Sequence, residues 1–224
     1  MSGRDAILGK VRKALHTEAS EAERRKAVSE RLRKTPQGLI PARGQLPQNE
    51  RVALFAQIAT KLAATVQRVR SSNDVPKAVT DYLRDRNLPA AVRMGADPRL
   101  AAMPWSKQRQ LELRLGASDG DDEAGVSHAT AAIAETGTLV MTSGAANPTT
   151  VNFLPEHHIV VVDAADVEGD LETVLARIRD SYGKGKMPRT VNLISGPSRS
   201  GDVEQKIILG AHGPRALHIV IVGG

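Results

Sequence analysis

Three glycine-marked segments hold the side chains best suited to chemistry. The first is Ala134-Glu135-Thr136-Gly137-Thr138, leading into Leu139-Val140-Met141. Glu135 is a candidate base or nucleophile, provided burial raises its pKa. Thr136 and Thr138 offer hydroxyls. Gly137 permits a close backbone approach or a turn at positive φ, so the three together can hold an anion. The second segment is Ser195-Gly196-Pro197-Ser198-Arg199-Ser200-Gly201-Asp202-Val203-Glu204. Ser198 and Arg199 supply a hydroxyl and a guanidinium fork, which a carboxylate or phosphate requires. If Asp202 and Glu204 lie on a strand they share one face, where they can position substrate hydroxyls or share a proton. The segment is neither a Walker A loop nor a dinucleotide-binding G-x-G-x-x-G. The third segment is Gly210-Ala211-His212-Gly213-Pro214, a tight turn whose His212 suits proton transfer near neutral pH. At each place the plainer alternative is a turn or ordered loop whose polar groups bond backbone or water.

Other residues invite chemistry and carry less of it. His157 and His158 are adjacent, so on a strand they point to opposite faces and cannot share one metal ion; no metal is expected. Ser143-Gly144 with Asn147-Pro148 is turn chemistry, with a lid over the site as its functional version. Trp105 reads as a core plug.

The elements that must position these groups follow from periodicity. Ile7, Val11 and Leu15 form a helical stripe, and Ser20 with Glu23 has capping-box spacing ahead of a second helix that ends near Lys34. Pro36, Gly38, Pro41, Gly44 and Pro47 then mark a linker over 36–48. Asn49 is expected to cap a helix whose stripe is Leu54, Phe55, Ile58, Leu62 and Val66. Strands are expected at 65–69, 90–94, 111–115, 139–142, 159–162, 191–194 and 217–222. Helices are expected after Asn73 and over 170–179. Ile159–Val162 and Leu217–Val222 are continuous apolar runs of the kind buried on both faces. The fold class is therefore α/β, a mainly parallel sheet covered by helices on both faces, with an N-terminal helical arm. The division is a basic arm and linker over 1–48 and an α/β domain over 49–224. In such sheets ligands bind beyond the carboxyl ends of the strands, so the three segments are expected to meet there in one pocket.

Composition narrows the function. Among 224 residues there is no Cys, which excludes disulfides, a thiolate nucleophile and Cys-ligated clusters in this chain. Residues 1–45 carry 11 Lys+Arg against 5 Asp+Glu, and the rest carries 20 of each, so the net +6 belongs to the arm. A neutral body with only Phe55, Tyr82, Trp105, Phe153 and Tyr182 as aromatics argues against nucleic-acid binding. The arm reads as a solvated segment or as a docking arm for a second subunit or acidic partner. The longest uncharged run, between Glu135 and Glu156, is too rich in Gly, Asn, Pro and Thr to span a membrane. With no apolar leader, the chain is expected to be cytoplasmic.

The segments Ala132-Ile133-Ala134-Glu135-Thr136-Gly137-Thr138-Leu139-Val140, Leu154-Pro155 through His158-Ile159-Val160-Val161-Val162, Gly196-Pro197-Ser198-Arg199-Ser200-Gly201-Asp202-Val203-Glu204 and Leu209-Gly210-Ala211-His212-Gly213-Pro214-Arg215, in that order, resemble the LUD domain of the LutC/YkgG family, lactate utilization protein C. The likeness covers about residues 50–224, and Ser200-Gly201 stands where the family commonly has Thr-Ala. The resemblance implies a NagB/RpiA/CoA-transferase-like fold. It also implies a role in bacterial oxidation of L-lactate to pyruvate with iron–sulfur partner subunits, so that the clusters sit on partners and this chain holds no cofactor. By analogy with CoA-transferase relatives, Glu135 stands where a nucleophilic Glu is found. The expected site has Glu135, His212 and Asp202 as acid–base groups. Thr136, Gly137, Thr138, Ser198, Arg199 and Glu204 hold a small carboxylate or phosphate. The alternatives are a stand-alone enzyme of the CoA-transferase or sugar-phosphate-isomerase kind, and a regulatory binding module.

Overall fold

A computed structural model describes residues 2–15, 20–34, 36–201 and 207–223, the side chains of Ile207 and Ile208 excepted. The chain forms two units, residues 1–39 and 40–224. The first contains α1 (Gly3–Ala14) and α2 (Glu21–Lys34), and neither helix buries a residue. Both open on capping boxes, Ser2 with Asp5 and Ser20 with Glu23, which satisfy N–H groups that the first helical turn leaves without partners. The stripe of Ile7, Val11 and Leu15 is exposed.

In the second unit, six parallel strands form the main sheet. Their order is β1 (Thr65–Val69), β12 (Ala216–Val222), β7 (His157–Asp163), β4 (Ala124–His128), β2 (Ala91–Met94), β3 (Glu112–Leu115). Stiff β-branched side chains fill both faces of the central strands. Val160 and Val162 point to one core and Ile159 and Val161 to the other, all four fully buried. One face is covered by α4 (Val75–Asp85) and α5 (Pro98–Ala101) through Val79, Leu83 and Leu100. Trp105 is buried there as a core plug, its Nε1–H donating to Leu100 O. The other face is covered by α3 (Gln48–Lys61) through Val52, Phe55 and Ala59, and by α6 (Thr149–Phe153), whose Val151 carbonyl crosses Gly125 so closely that a Cβ there would lie 2.6 Å from it.

A smaller mixed sheet extends this second face. It runs β8 (Val167–Glu168), β5 (Ala131–Ile133), β6 (Thr138–Thr142), β9 (Val191–Ile194), and α7 (Leu171–Tyr182) covers its far side through Val174 and Ile178. Asp170 caps α7 by accepting from the Thr173 N–H at 2.8 Å. Burial works to raise this carboxyl, and the bonds from Thr173 and Gln45 more than offset it, so it is held below the usual carboxylate range. A hairpin, β10 (Arg199–Gly201) with β11 (Ile207–Leu209), follows.

Several expectations shift. Strands 139–142 and 191–194 belong to the mixed sheet and pair antiparallel with each other. The central strand β4 and the short β5 lie where no strand was expected. The cap of α3 is Pro47, with Asn49 inside the helix, because the Gln48 side chain donates to Ala164 O and Val167 O and fixes the turn one residue earlier. The cap ahead of α4 is Ser71 paired with Asp74, not Asn73. Within the linker expected at 36–48, the chain from Ile40 onward belongs to the second unit, and Gln45 donates to Asp170 at 2.9 Å. Among the described residues no helix is long and apolar enough to cross a membrane.

Candidate functional site

A cleft of about 260 Å³ opens at the amino end of the main sheet. Its wall is the turn from the end of β9 into β10, Leu193 to Arg199; its rim is His212-Gly213-Pro214, just before β12. Its floor is Leu217, the second residue of β12, His158, the second residue of β7, and Asn152 with Phe153 at the end of α6. The expectation that ligands gather at the carboxyl ends of the parallel strands is thus not met by this cleft. Ser195–Arg199 does follow a strand, but that strand lies in the mixed sheet, whose end faces the start of β7 and β12.

Two of the three segments meet here. The Ser198 N–H donates to Pro214 O at 2.8 Å, the Gly210 N–H donates to Ser198 O at 3.1 Å, and the His212 N–H donates to Ser198 Oγ at 3.3 Å. These bonds lock Ser198, Arg199 and His212 into one wall of the cleft. The Arg199 guanidinium donates to Leu62 O at the end of α3, a carbonyl the helix leaves without an internal partner. That is one bond of the several its fork offers.

The first segment divides. A chain of hydroxyls runs from Thr136 Oγ1 to Thr138 Oγ1 to Ser195 Oγ, each step 2.7 Å, and so ties Thr138 to the cleft wall. Gly137 does adopt positive φ, +63°, but the backbone it approaches is α3: a Cβ would lie 2.8 Å from Ala59 N. Glu135 does not line the cleft. Its N–H donates to Gly169 O, its side chain is 6 % exposed, and its Oε2 lies 3.9 Å from Arg43 Nε with no hydrogen bond. A single pocket holding all three segments is therefore corrected to a cleft built from the second and third, with the first attached through Thr138. Asp202 and Glu204 lie outside the described residues.

His157 and His158 do point to opposite faces. His157 Nδ1 lies 2.9 Å from Tyr82 Oη on the α4 side, and His158 Nε2 lies 3.1 Å from Ser127 Oγ on the cleft side. Ser127 Oγ in turn donates to Asn152 Oδ1 at 2.7 Å. His158 is wholly buried, and burial pushes its imidazole down to about 3, so it is neutral at physiological pH. His158 Nδ1 and Asn152 Nδ2 have no hydrogen-bond partner. Sequence reasoning missed Asn152 and Ser127, gave Ser195 only as part of the second segment, and weighed His158 only as a metal ligand. The available signal was a His on the same face as Val160 and Val162, a buried polar position that needs partners.

The carboxyl end of the sheet holds a different cluster, also missed. It lies between β2, whose chain continues outward to β3, and β4, whose chain returns toward β7. Asp97 receives two bonds from the Arg99 guanidinium, at 3.1 and 2.8 Å, and one from its N–H. Arg99 also donates to Ala129 O, and His128 Nδ1 lies 2.9 Å from the same carbonyl. His128 Nε2 is 3.5 Å from Asp163. Burial works to raise Asp97, and the bonds from Arg99 more than offset it, leaving it below the usual range. Burial holds His128 below its ordinary value. The Ser143–Pro148 turn sits at this end too, Ala145 O accepting from Ala96 N–H, and so does not cover the cleft.

The LUD domain model matches residues 52–222 of this chain. A lactate utilization protein C from Halalkalibacterium halodurans is 33% identical over 182 residues, covering 76% of this chain and 78% of the relative. An uncharacterized protein YkgG from Escherichia coli is 25% identical over 190 residues, covering 79% and 82%. With the lactate utilization protein C of Shouchella clausii, 31% identity extends over 100 residues, so the match spans less than half that relative's length, 44% of each chain. A crystal structure of a DUF162 family protein from Deinococcus radiodurans aligns with TM-score 0.57 and 19% identity over 80% of this chain and 99% of that one, a likeness of fold.

Proposed function

Since this chain belongs to the LUD domain family, we propose that it serves in L-lactate utilization, beside iron–sulfur partner proteins, with its cleft binding a small carboxylate or phosphate. Support for the process comes from relatives whose names place them in lactate utilization. The observation that carries the cleft is the convergence of Ser198, Arg199 and His212 along it, with Ser198 and His212 tied together by hydrogen bonds between the two segments and the Arg199 guanidinium anchored on Leu62 O. Such a wall offers an anion a guanidinium, a hydroxyl and an imidazole that need not reorganise on binding. Oxidising a hydroxy acid requires an acceptor for two electrons. A chain without Cys cannot ligate a cluster by thiolates, so that acceptor is assigned to the partners.

Deleting the gene is expected to abolish growth on L-lactate and leave growth on pyruvate intact. Rescue is expected from the wild-type gene and not from a Ser198→Ala, Arg199→Ala, His212→Ala triple variant. Tagged protein taken from lactate-grown cells is expected to bring down iron-containing partners. Undiminished growth of the deletion strain on lactate rejects the role, and full rescue by the triple variant rejects the cleft.

A further inference from the structure

The N-terminal arm presents an apolar face that its own helices do not cover. At about 100° per residue, Ile7, Leu8, Val11 and Leu15 fall within about 100° of the circumference of α1. All four are exposed, Ile7 and Leu15 by 65 %. Val28 and Leu32, one turn apart on α2, are exposed as well. Among the described residues of the arm, neither helix buries a side chain. α1 has 12 residues and α2 has 14. Isolated helices shorter than about 12–15 residues are marginal in water, and helices in proteins are held mostly by packing an apolar face. The capping boxes set where α1 and α2 begin. The surface that would hold them by packing lies outside the arm.

Charge narrows what that surface is. α1 carries Arg4, Lys10, Arg12 and Lys13 against Asp5, which is taken up by the N–H and Oγ of Ser2. α2 carries six cations against three acids, while the chain beyond residue 45 is balanced. The occupant must therefore be apolar and anionic together. A second copy of the arm fails on charge, because pairing sets two positive helices side by side. A nucleic-acid backbone is anionic but gives an aliphatic stripe nothing to pack on. A protein groove takes its affinity from a few fixed anchors, chiefly Trp, Tyr and Arg. The arm has no aromatic residue, and its cations are spread around both helices. The interface of an anionic bilayer asks for no fixed anchor. Acyl chains accept the stripe, lipid phosphates surround it, and the long Lys and Arg stems reach from one to the other. We propose that the arm is an interfacial anchor, with α1 lying in the surface of an anionic phospholipid bilayer and Ile7, Leu8, Val11 and Leu15 inserted among the lipids. Such a helix lies on the bilayer and does not cross it, and its binding is reversible and weakens with salt. The anchor goes beyond the lactate-utilization reading and does not depend on it.

The test uses the full chain with vesicles of phosphatidylglycerol and phosphatidylcholine in equal parts, against vesicles of phosphatidylcholine alone. Co-sedimentation is expected to show at least tenfold higher affinity for the mixed vesicles. Ile7→Gln with Val11→Gln removes half of the stripe and keeps every charge, at exposed positions where Gln suits a helix. Its affinity for the mixed vesicles is expected to fall at least fivefold. Because the chain has no Cys, one introduced thiol carries a polarity-sensitive fluorophore at a chosen place. A label on Leu8→Cys is expected to shift to the blue with the mixed vesicles. A label on Gly9→Cys, on the far side of α1, is expected to keep its aqueous emission. Failure to bind the mixed vesicles overturns the anchor. So does undiminished binding by the double variant, or an unshifted label on Leu8→Cys, since either reduces the contact to charge alone. The same blue shift with soluble polyglutamate and no vesicles overturns the lipid surface and assigns the face to an acidic protein.

Discussion

At the carboxyl end of the parallel sheet, Asp97, Arg99 and His128 spend their hydrogen-bonding capacity on one another and on the Ala129 carbonyl. At the amino end, His158 and Asn152 are wholly buried beneath a cleft that both residues line, and each keeps one buried polar atom without a hydrogen-bond partner. The carboxyl end is where open α/β sheets usually bind ligands. Here an ion pair occupies that end, and the cleft described above lies at the opposite end, where the mixed sheet delivers Ser195–Arg199. The two ends also differ in charge. The carboxyl end pairs Asp97 with Arg99 beside a His128 that burial also lowers, while the amino end holds the two imidazoles lowered furthest, His158 and, on the α4 side of β12, His218, which stacks on Tyr82.

That difference predicts which end fails first in acid. His158 and His218 are lowered from 6.5 to about 3 and about 4, by burial foremost. Between those values and 6.5 the unfolded chain takes up protons that the folded chain refuses. Stability from these two groups is therefore complete above about pH 7 and falls as pH drops below 6.5. From pH 7 to pH 5 each is expected to cost about 2 kcal/mol, at 1.36 kcal/mol per unit. Asp97 is lowered instead as a carboxylate, so its contribution persists until pH falls below about 4. Urea unfolding at pH 7 and pH 5 is expected to show the loss, and His158→Gln with His218→Gln to flatten it. A loss equally steep in the double variant would mean that the amino end is not the acid-sensitive one.

The next effect tests the carboxyl end directly. Arg99→Ala leaves Asp97, 5 % exposed, with only a backbone partner. Losing one member of a buried pair costs about 3–5 kcal/mol. Arg99 is 42% exposed in its side chain, which lowers the expected cost to about 2 kcal/mol. Asn152→Leu at the amino end is expected to cost about 1 kcal/mol, because the unpartnered Nδ2 goes with the side chain, Ser127 Oγ keeps its contact with His158 Nε2, and no charge is stranded. The measurement is the urea midpoint at constant m-value. Equal costs at the two ends would erase the distinction between them.

How much of this was legible depends on where the signal sits in the chain. β7 and β12 were readable because Ile159–Val162 is β-branched at every step and Leu217–Val222 is apolar at every step but His218, as strands buried on both faces tend to be. β4 was not: Ala-Gly-Val-Ser-His has little intrinsic strand preference, and its place is set by the Val151 carbonyl lying on Gly125 and by Ser127 bonding Asn152 across 25 residues. Ser198, Arg199 and His212 could be found because Gly and Pro punctuate the turns that carry them. Asn152 carries no such mark, and only its meeting with Ser127 of β4 gives it meaning. Glu135 misled for the opposite reason. It is surrounded by attractive residues in sequence, while in space the chain turns at Gly137 and the carboxylate ends up beside Arg43.

The smallest predicted effect decides whether the Glu135 segment has any bearing on the amino end. Besides the pairing of β6 with β9, its link to the cleft wall is the hydroxyl chain through Thr138, which holds Ser195 Oγ at 2.7 Å. Thr138→Val keeps the β-branched shape that β6 requires and removes both of that hydroxyl's bonds. Thr136 and Ser195 can each turn to another acceptor or to solvent, so the expected cost is about 1 kcal/mol in urea unfolding. The more telling readout is binding. With Ser195 no longer held from behind, the wall loses part of its preorganisation, and the Kd for a small carboxylate such as L-lactate is expected to rise about threefold. An unchanged Kd would separate the Glu135-Thr136-Gly137-Thr138 segment from the site altogether, leaving its hydroxyls the structural task of joining β6 to the turn after β9.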